Sequence, residues 1–192
     1  MIKGIIKTLL TVILVLILGI LYLSIFGLKT EKFNNQIKKS ISEVNSKINF
    51  QINDVNYLLN LKDLSINIST NNSKLSIDDR VIDIKNIKTN ISIKSFINNQ
   101  YSIDDLEIST AEIKINDLLF FTRKVHNSPQ LFILSKIIKD GSIEVDASIN
   151  FDTKGKIKND YQIKGSIKNA RLDLLNQSTF NDLNFLFNLN KN

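Results

Sequence analysis

The residues able to support catalysis are few and lie far apart in the sequence. The chain has one histidine, His126, and no cysteine, so a Ser-His-Asp triad or a His/Cys metal site lacks its parts. Two carboxylate pairs, Asp78–Asp79 and Asp104–Asp105, are sequence neighbours, and adjacent side chains on a strand point to opposite faces. Phosphate-binding, dinucleotide-binding and nucleophile-elbow motifs are also absent from the sequence. We therefore expect a protein that is not an enzyme and needs neither a cofactor nor a metal.

The positive charge of the chain does not indicate a nucleic-acid partner. The formal net charge is +6, but the lysines are scattered among acidic and asparagine residues. Arginine, the preferred residue for bidentate contacts to phosphates and bases, occurs only at Arg80, Arg123 and Arg171. We interpret the charge as a solvated surface, with weak attraction to anionic lipid head groups as the minor alternative.

The longest uncharged stretch runs from Thr8 to Leu28 and predicts a membrane anchor over residues 1–28. As a helix, about 21 residues span about 31 Å, which is enough to cross a hydrocarbon core of about 30 Å. A cleaved signal peptide is the alternative, but its apolar core is usually shorter and ends in a small-residue cleavage site. Lys3 and Lys7 favour a cytoplasmic N-terminus, although Lys29 and Lys32 weaken the contrast. This orientation places the rest of the chain outside the cytoplasm, in a periplasm or a lumen.

Residues 29–46 are predicted to form an amphipathic helix that leaves the membrane. Thr30 can cap it, and Phe33, Ile37, Ile41 and Val44 form one apolar stripe. The stripe could cover the first strands of the following domain, or it could lie on the membrane surface.

From residue 47 onward the apolar residues alternate with polar ones, which predicts antiparallel strands with one buried face. A helical insert near residues 117–140 interrupts the pattern, with Ser128 as its cap, Pro129 in its first turn and Gly141 as its stop. Turns are predicted at residues 154–156 and at Asn169–Ala170. The last strand, Leu183–Leu189, would leave an open edge that continues into a longer chain or pairs with a partner's strand.

The two short helices are too small to cover a sheet of roughly ten strands. The sheet must therefore curl into a sandwich, a barrel or a trough. An almost uniformly aliphatic lining suits lipid acyl chains, which offer apolar area without direction; the dry core of an ordinary sandwich explains the same residues. The fold class that we predict is mainly β, with an N-terminal transmembrane helix, a curled antiparallel sheet and one or two short amphipathic helices.

A resemblance to a known family favours the trough. The stretches NLKDLSINIS, YSIDDLEISTAEIKIN and GSIEVDASINFDTKGKIKNDYQIKGSIKNARLDLLN, together with the basic N-terminus and single anchor, resemble the N-terminal part of AsmA-like proteins. The resemblance implies a β-groove at residues 47–192 that is anchored in the inner membrane and carries phospholipid towards the outer membrane. Members of the family are commonly several times longer, so this chain would form the membrane-proximal end of such a bridge.

The predicted partners are phospholipid acyl chains in the groove, the bilayer around Thr8–Leu28, and a strand added at the C-terminal edge. An anchored docking module with a dry sandwich core remains the alternative function. The candidate groove residues share the apolar side of the predicted strands. They are Ile66, Ile68, Ile82, Ile84, Ile91, Ile93, Ile113, Ile115, Ile143, Val145, Ile149, Ile163 and Ile167.

Overall fold

The computed structural model describes residues 2–31, 34–35, 38, 46–53, 55–94, 103–126, 128–152, 156–158, 160–174 and 178–191. The helices are α1 (Ile2–Ile25), α2 (Ile115–Val125) and α3 (Pro129–Ile137). The strands are β1 (Leu28–Thr30), β2 (Ile48–Gln51), β3 (Val55–Asn60), β4 (Ser65–Ile77), β5 (Arg80–Ser92), β6 (Ile103–Thr110), β7 (Ile113–Lys114), β8 (Ile138–Asn150), β9 (Tyr161–Leu174) and β10 (Ser178–Lys191).

These strands form one antiparallel sheet that is not closed, in the order β1-β3-β4-β5-β6-β8-β9-β10. Two short strands complete it: β2 pairs with the part of β4 that β3 leaves free, and β7 pairs with β8 beyond the end of β6. The mainly β class, with an N-terminal apolar helix and a few short helices, is confirmed.

Helix α1 leads directly into the edge of the sheet. Residues 3–25 are long and apolar enough to cross a membrane, which is consistent with a single-pass anchor. The helix ends because Gly27 adopts φ +69°, and a Cβ there would lie 2.7 Å from the carbonyl oxygen of Tyr57. The next residues form β1, in which Leu28 pairs with Tyr57. Lys29 and Thr30 therefore lie in a strand and not in the predicted exit helix; the capping role of Thr30 stays a prediction.

The apolar stripe of the predicted exit helix (Phe33, Ile37, Ile41 and Val44) lies outside the described residues. Among the residues that are described, Asn34, Asn35 and Lys38 are helical. Asn34 is buried, and its side-chain amide donates to the carbonyl oxygen of Asn53 at 2.9 Å. This part of the chain is thus tied to the connection between β2 and β3.

A line of irregular positions, here called the crease, crosses the sheet. In β4 the buried side chains Thr70 and Ser73 are three residues apart, yet their hydroxyl groups lie 3.3 Å apart. Alternation alone would place them on opposite faces. Asn72, at φ +53°, is the extra residue that brings them to the same face. Lys85 stands opposite Asn72 as the matching extra residue of β5, so the pairing of the two strands keeps one register.

The crease continues through the other long strands. Residues 111–112 interrupt the strand between β6 and β7, and β8 contains Gly141 at φ +127°. In β9 and β10 the extra residues are Asn169 (φ +51°) and Asp182 (φ +54°). Each shifts the alternation by one residue, as a β-bulge does. The apolar side chains therefore stay on one face of the sheet along strands of 13 or 14 residues.

Three predictions near the crease are wrong. Asn169–Ala170 is not a turn, because β9 runs unbroken through both residues. Gly141 does not stop a helix, because α3 ends at Ile137 and Gly141 lies inside β8. Ile115 begins α2 and is not a strand residue. The predicted start of α3 is confirmed: Pro129 is its first residue, and the Ser128 hydroxyl accepts from the Leu131 amide at 3.3 Å.

On the polar face, an ion-pair network lies beside the crease. Lys168 contacts Glu112 at 3.3 Å and Glu144 at 3.9 Å, and Lys85 contacts Glu144 at 3.8 Å. The Ser142 hydroxyl donates to the Glu112 carboxylate at 2.6 Å. Every member is partly exposed, so the network contributes only modestly to stability.

We expect the carboxyl of Glu112 to titrate below its ordinary range. The Ser142 hydroxyl, followed by the hydrogen bond and charge of Lys168, lowers its pKa. A lowered pKa contributes stability above the unfolded-state value, and this contribution is lost as the pH falls through the folded-state value. Carbon-detected NMR titration of the side-chain carboxyl measures the pKa. The variant Lys168→Met should raise it, whereas Lys62→Met, at a distant turn, should leave it unchanged; equal effects would contradict the assignment.

Candidate functional site

The apolar face of the sheet is divided by the crease into two halves. We call the half beneath α2 and α3 the covered half, and the half next to the β3–β4 turn the open half. The covered half carries most of the buried core. The buried apolar residues of the core, those of α2 included, are Phe50, Ile52, Val55, Ile77, Ile82, Ile84, Ile113, Ile115, Leu119, Phe121, Ile143 and Ala170. Two of them, Val55 opposite Thr70 and Ile143 opposite Ile167, lie just across the crease.

The α2–α3 pair is held over the covered half by apolar contacts and by two arginines. Leu119 and Phe121 of α2 are buried in the core. The Arg80 guanidinium donates to Asp117 at 3.0 Å and lies 4.4 Å from the centre of the Phe120 ring. Arg123 donates to the hydroxyl of Ser135 in α3 at 3.1 Å and joins the two helices. The cover is therefore fixed to the sheet and is held together internally.

The open half consists of cross-strand apolar neighbours without such a cover. Ile66 pairs with Ile91 across β4 and β5, Leu106 with Ile149 across β6 and β8, and Ala147 with Ile163 across β8 and β9. These six side chains are half-buried, and none belongs to the buried core. In the described part of the chain, α2 and α3 pack on the other side of the crease. The open half therefore presents apolar surface to whatever lies against it.

The structure divides the predicted groove residues between the two halves. Five are buried, and a dry core explains them: Ile82, Ile84, Ile113, Ile115 and Ile143. Three others are half-buried and pack against that core: Ile68, Val145 and Ile167. The remaining five are half-buried and lie outside the core. They are Ile66, Ile91, Ile93, Ile149 and Ile163. Ile93 follows the end of β5 at Ser92 and is helical, so the prediction that it is a strand residue is wrong.

Some residues of this face were not among the predicted site residues. Leu106 pairs with the predicted residue Ile149, and Ala147 pairs with the predicted residue Ile163. Phe185, Phe187 and Leu189 extend the same face on β10, opposite Ile167, Gly165 and Ile163. Their alternation was visible in the sequence, but only the strand order shows that β10 follows β9 on the same face.

The open half lies at the end of the sheet where α1 leaves it. Leu28 pairs with Tyr57 in β3, and from there β3 runs towards the β3–β4 turn at residues 61–64. Ser65 and Ser92 pair just beyond this turn. Because the neighbouring strands are antiparallel, residue 103 of β6, residue 150 of β8 and residue 161 of β9 lie at this same end of the sheet. The anchor and the open half thus share one end of the sheet.

The residues first considered for catalysis do not come together. His126 is exposed at the end of α2, Asp78 and Asp79 form the β4–β5 turn, and Asp104 and Asp105 lie in β6. Within the described ranges, no group of three or more His, Cys, Asp or Glu side chains could hold a metal ion.

Comparison of the chain with protein-family models, curated proteins and solved structures found no match. The fold and the apolar face of its sheet define the structural class of the protein. The chain is mainly β, it begins with a helix able to span a membrane, and its one open sheet has a half-covered apolar face. The resemblance to AsmA-like proteins stays a prediction.

Proposed function

We propose that the chain is a membrane-anchored, non-catalytic lipid-binding module whose open half receives phospholipid acyl chains. The observation that carries this proposal is the uncovered apolar face on the anchor side of the crease. Each CH₂ group that is fully buried from water contributes about 0.8 kcal/mol, and an acyl chain lying on this face gains part of that for each of its groups. Acyl chains can therefore serve as the cover that the described residues do not provide for this half.

The length of the open half suits this ligand. On β9 it extends from Tyr161 to Ile167, six residue steps or about 20 Å at a rise of about 3.3 Å per residue. One leaflet of a bilayer has a hydrocarbon thickness of about 15 Å, half of the full core. A single acyl chain thus fits between the end of the sheet and the crease.

In the setting that we propose, α1 crosses a bacterial inner membrane with the N-terminus in the cytoplasm and the sheet in the periplasm. The resemblance to AsmA-like proteins supports this setting, as does the basic start of the chain. The module would then be the membrane-proximal end of a phospholipid bridge towards the outer membrane.

The edge strand β10 supports an extension of the sheet. Among the described strands it pairs only with β9. Phe185 and Leu189 are exposed on its apolar side, and Leu186 is 84% exposed on the other side. An uncovered edge with apolar side chains is a site for adding a further strand. A docking module that binds a partner protein at β10 is the second candidate function, and this same edge favours it.

Photo-crosslinking of the full-length chain in cell membranes tests the proposal. A benzoylphenylalanine at Ile163 faces the open half, whereas one at Gln162, the preceding residue, faces the polar side. We expect phospholipid adducts, identified by mass spectrometry, at position 163 and at least five-fold fewer at position 162.

Equal lipid labelling at both positions would contradict binding on the apolar face. A third variant with the probe at Leu186 separates the two candidate functions. Protein adducts at position 186 without lipid adducts at position 163 would replace the lipid-binding proposal by the docking module.

A further inference from the structure

The turn between β3 and β4 exposes two leucines beside the membrane-spanning helix. Leu61 is 42% exposed and Leu64 is 61% exposed, with Lys62 and Asp63 between them. Single exposed leucines are common on protein surfaces. Two exposed leucines in one tight turn, next to a helix able to enter a bilayer, indicate that the turn and the helix lie in the same apolar environment.

The turn is held rigidly in this arrangement. The Asn60 side-chain oxygen accepts from the amides of Lys62 and Asp63 at 3.0 and 3.2 Å, and its amide group donates to the Asp63 carboxylate at 2.9 Å. Leu64 adopts φ +47°, a conformation that is costly for a leucine and suits glycine or asparagine. Its carbonyl oxygen accepts from the Ile93 amide at 2.8 Å. The backbone thus fixes a strained leucine whose side chain remains in solvent.

The strand register places the turn at the depth of the last residues of α1. Leu28 lies beside Tyr57, and the turn begins about 10 Å further along β3 at a rise of about 3.3 Å per residue. Going back along the chain from Leu28, the turn residue Phe26, Gly27 (φ +69°) and about one helical turn of α1, at about 1.5 Å per residue, cover a similar distance. This reaches the level of Tyr22 and Phe26, whose rings lie 5.1 Å apart. Tyrosines at the end of a membrane span belong at the head-group level.

We propose that Leu61 and Leu64 insert into the head-group region of the bilayer that α1 spans. Lys62 can extend its ammonium group to the lipid phosphates while its stem stays among apolar groups. The sheet is then attached to the membrane at two points, α1 and this turn. The open end of the apolar face is thereby held against the lipid surface. The inference requires that α1 spans a bilayer, but it does not require that the sheet carries lipid.

Tryptophan fluorescence in the full chain tests this contact without background, because the sequence contains no tryptophan. The variants Leu61→Trp and Leu64→Trp report on the turn. Val81→Trp is the control, because Val81 is similarly exposed (46%) but lies at the far end of β5. Each variant is reconstituted into phosphatidylcholine–phosphatidylglycerol vesicles, with lipids spin-labelled near the head group as quenchers. Far-UV circular dichroism establishes that each variant is folded.

We expect spin-labelled lipid to quench tryptophan at positions 61 and 64 at least three-fold more than at position 81. Aqueous iodide should quench in the reverse order. Position 61 alone suffices if the strained position 64 does not accept tryptophan. Lipid quenching at position 61 no greater than at position 81 would overturn the inference, whether or not the open half binds lipid in the crosslinking experiment.

Discussion

Replacing Phe121 by alanine is expected to lower the free energy of unfolding by about 3–5 kcal/mol, because a buried phenylalanine leaves a cavity on truncation. Phe121 belongs to α2, is 4% exposed and lies in the buried core between this helix and the sheet. The loss would weaken the contact between α2 and the covered half of the sheet. Such a loss is a large fraction of the stability of an ordinary domain.

Urea titration of the full chain in a non-ionic detergent, followed by circular dichroism at the strand wavelength, measures this effect. Phe180→Ala is the matched control, since Phe180 is 46% exposed at the end of β10. It should change the free energy of unfolding by only about 0.5 kcal/mol. Similar losses in the two variants would show that α2 does not cover the core as described.

Replacing Gly141 by alanine should cost about 2–4 kcal/mol, from backbone strain and overpacking together. At φ +127°, Gly141 occupies a conformation that a residue with a Cβ rarely adopts. An added Cβ would also lie 2.8 Å from the Cα of Ala170 and 3.0 Å from Cδ1 of Ile115. Strand β8 would then have to separate from both β9 and α2.

The same urea titration measures the effect, and Gly19→Ala provides the control. Gly19 lies in α1, and an added Cβ there meets no atom within 4 Å, so no loss of stability is expected. If Gly141→Ala is as stable as the unsubstituted chain, β8 does not cross the crease in this conformation. Gly141 would then have to be removed from the positions that form the crease.

Much of this fold could be predicted from local sequence patterns. Alternation is set by the two-residue period of a strand, and it predicted the antiparallel strands and their apolar face. The capped start of α3 at Ser128 and Pro129 also depends on neighbouring residues alone. The crease could not be predicted in this way, because asparagine and glycine at positive φ occur in turns as well as in bulges. Only the pairing of Asn169 and Gly141 with neighbouring strands distinguishes the two.

Local sequence patterns also could not predict which of the candidate groove residues are buried and which are half-exposed. Ile84 and Ile91 lie on the same strand and face, yet one is buried and the other half-exposed. The difference depends on where α2, some thirty residues further along the chain, packs on the sheet. A visible clue was the spacing of three between Ile84 and Ile87, which breaks the alternation of β5 at the crease.

The matching extra residues of β4 and β5 restrict how this chain can change during evolution. Losing Asn72 alone would turn one half of β4 over relative to the other, and either Asn67, Ser69 and Asn71 or Lys74 and Ser76 would then face the apolar side. Losing Lys85 at the same time would restore the match between the two strands. Insertions and deletions at these positions should therefore be inherited in pairs, so the lengths of neighbouring strands can change together but not separately.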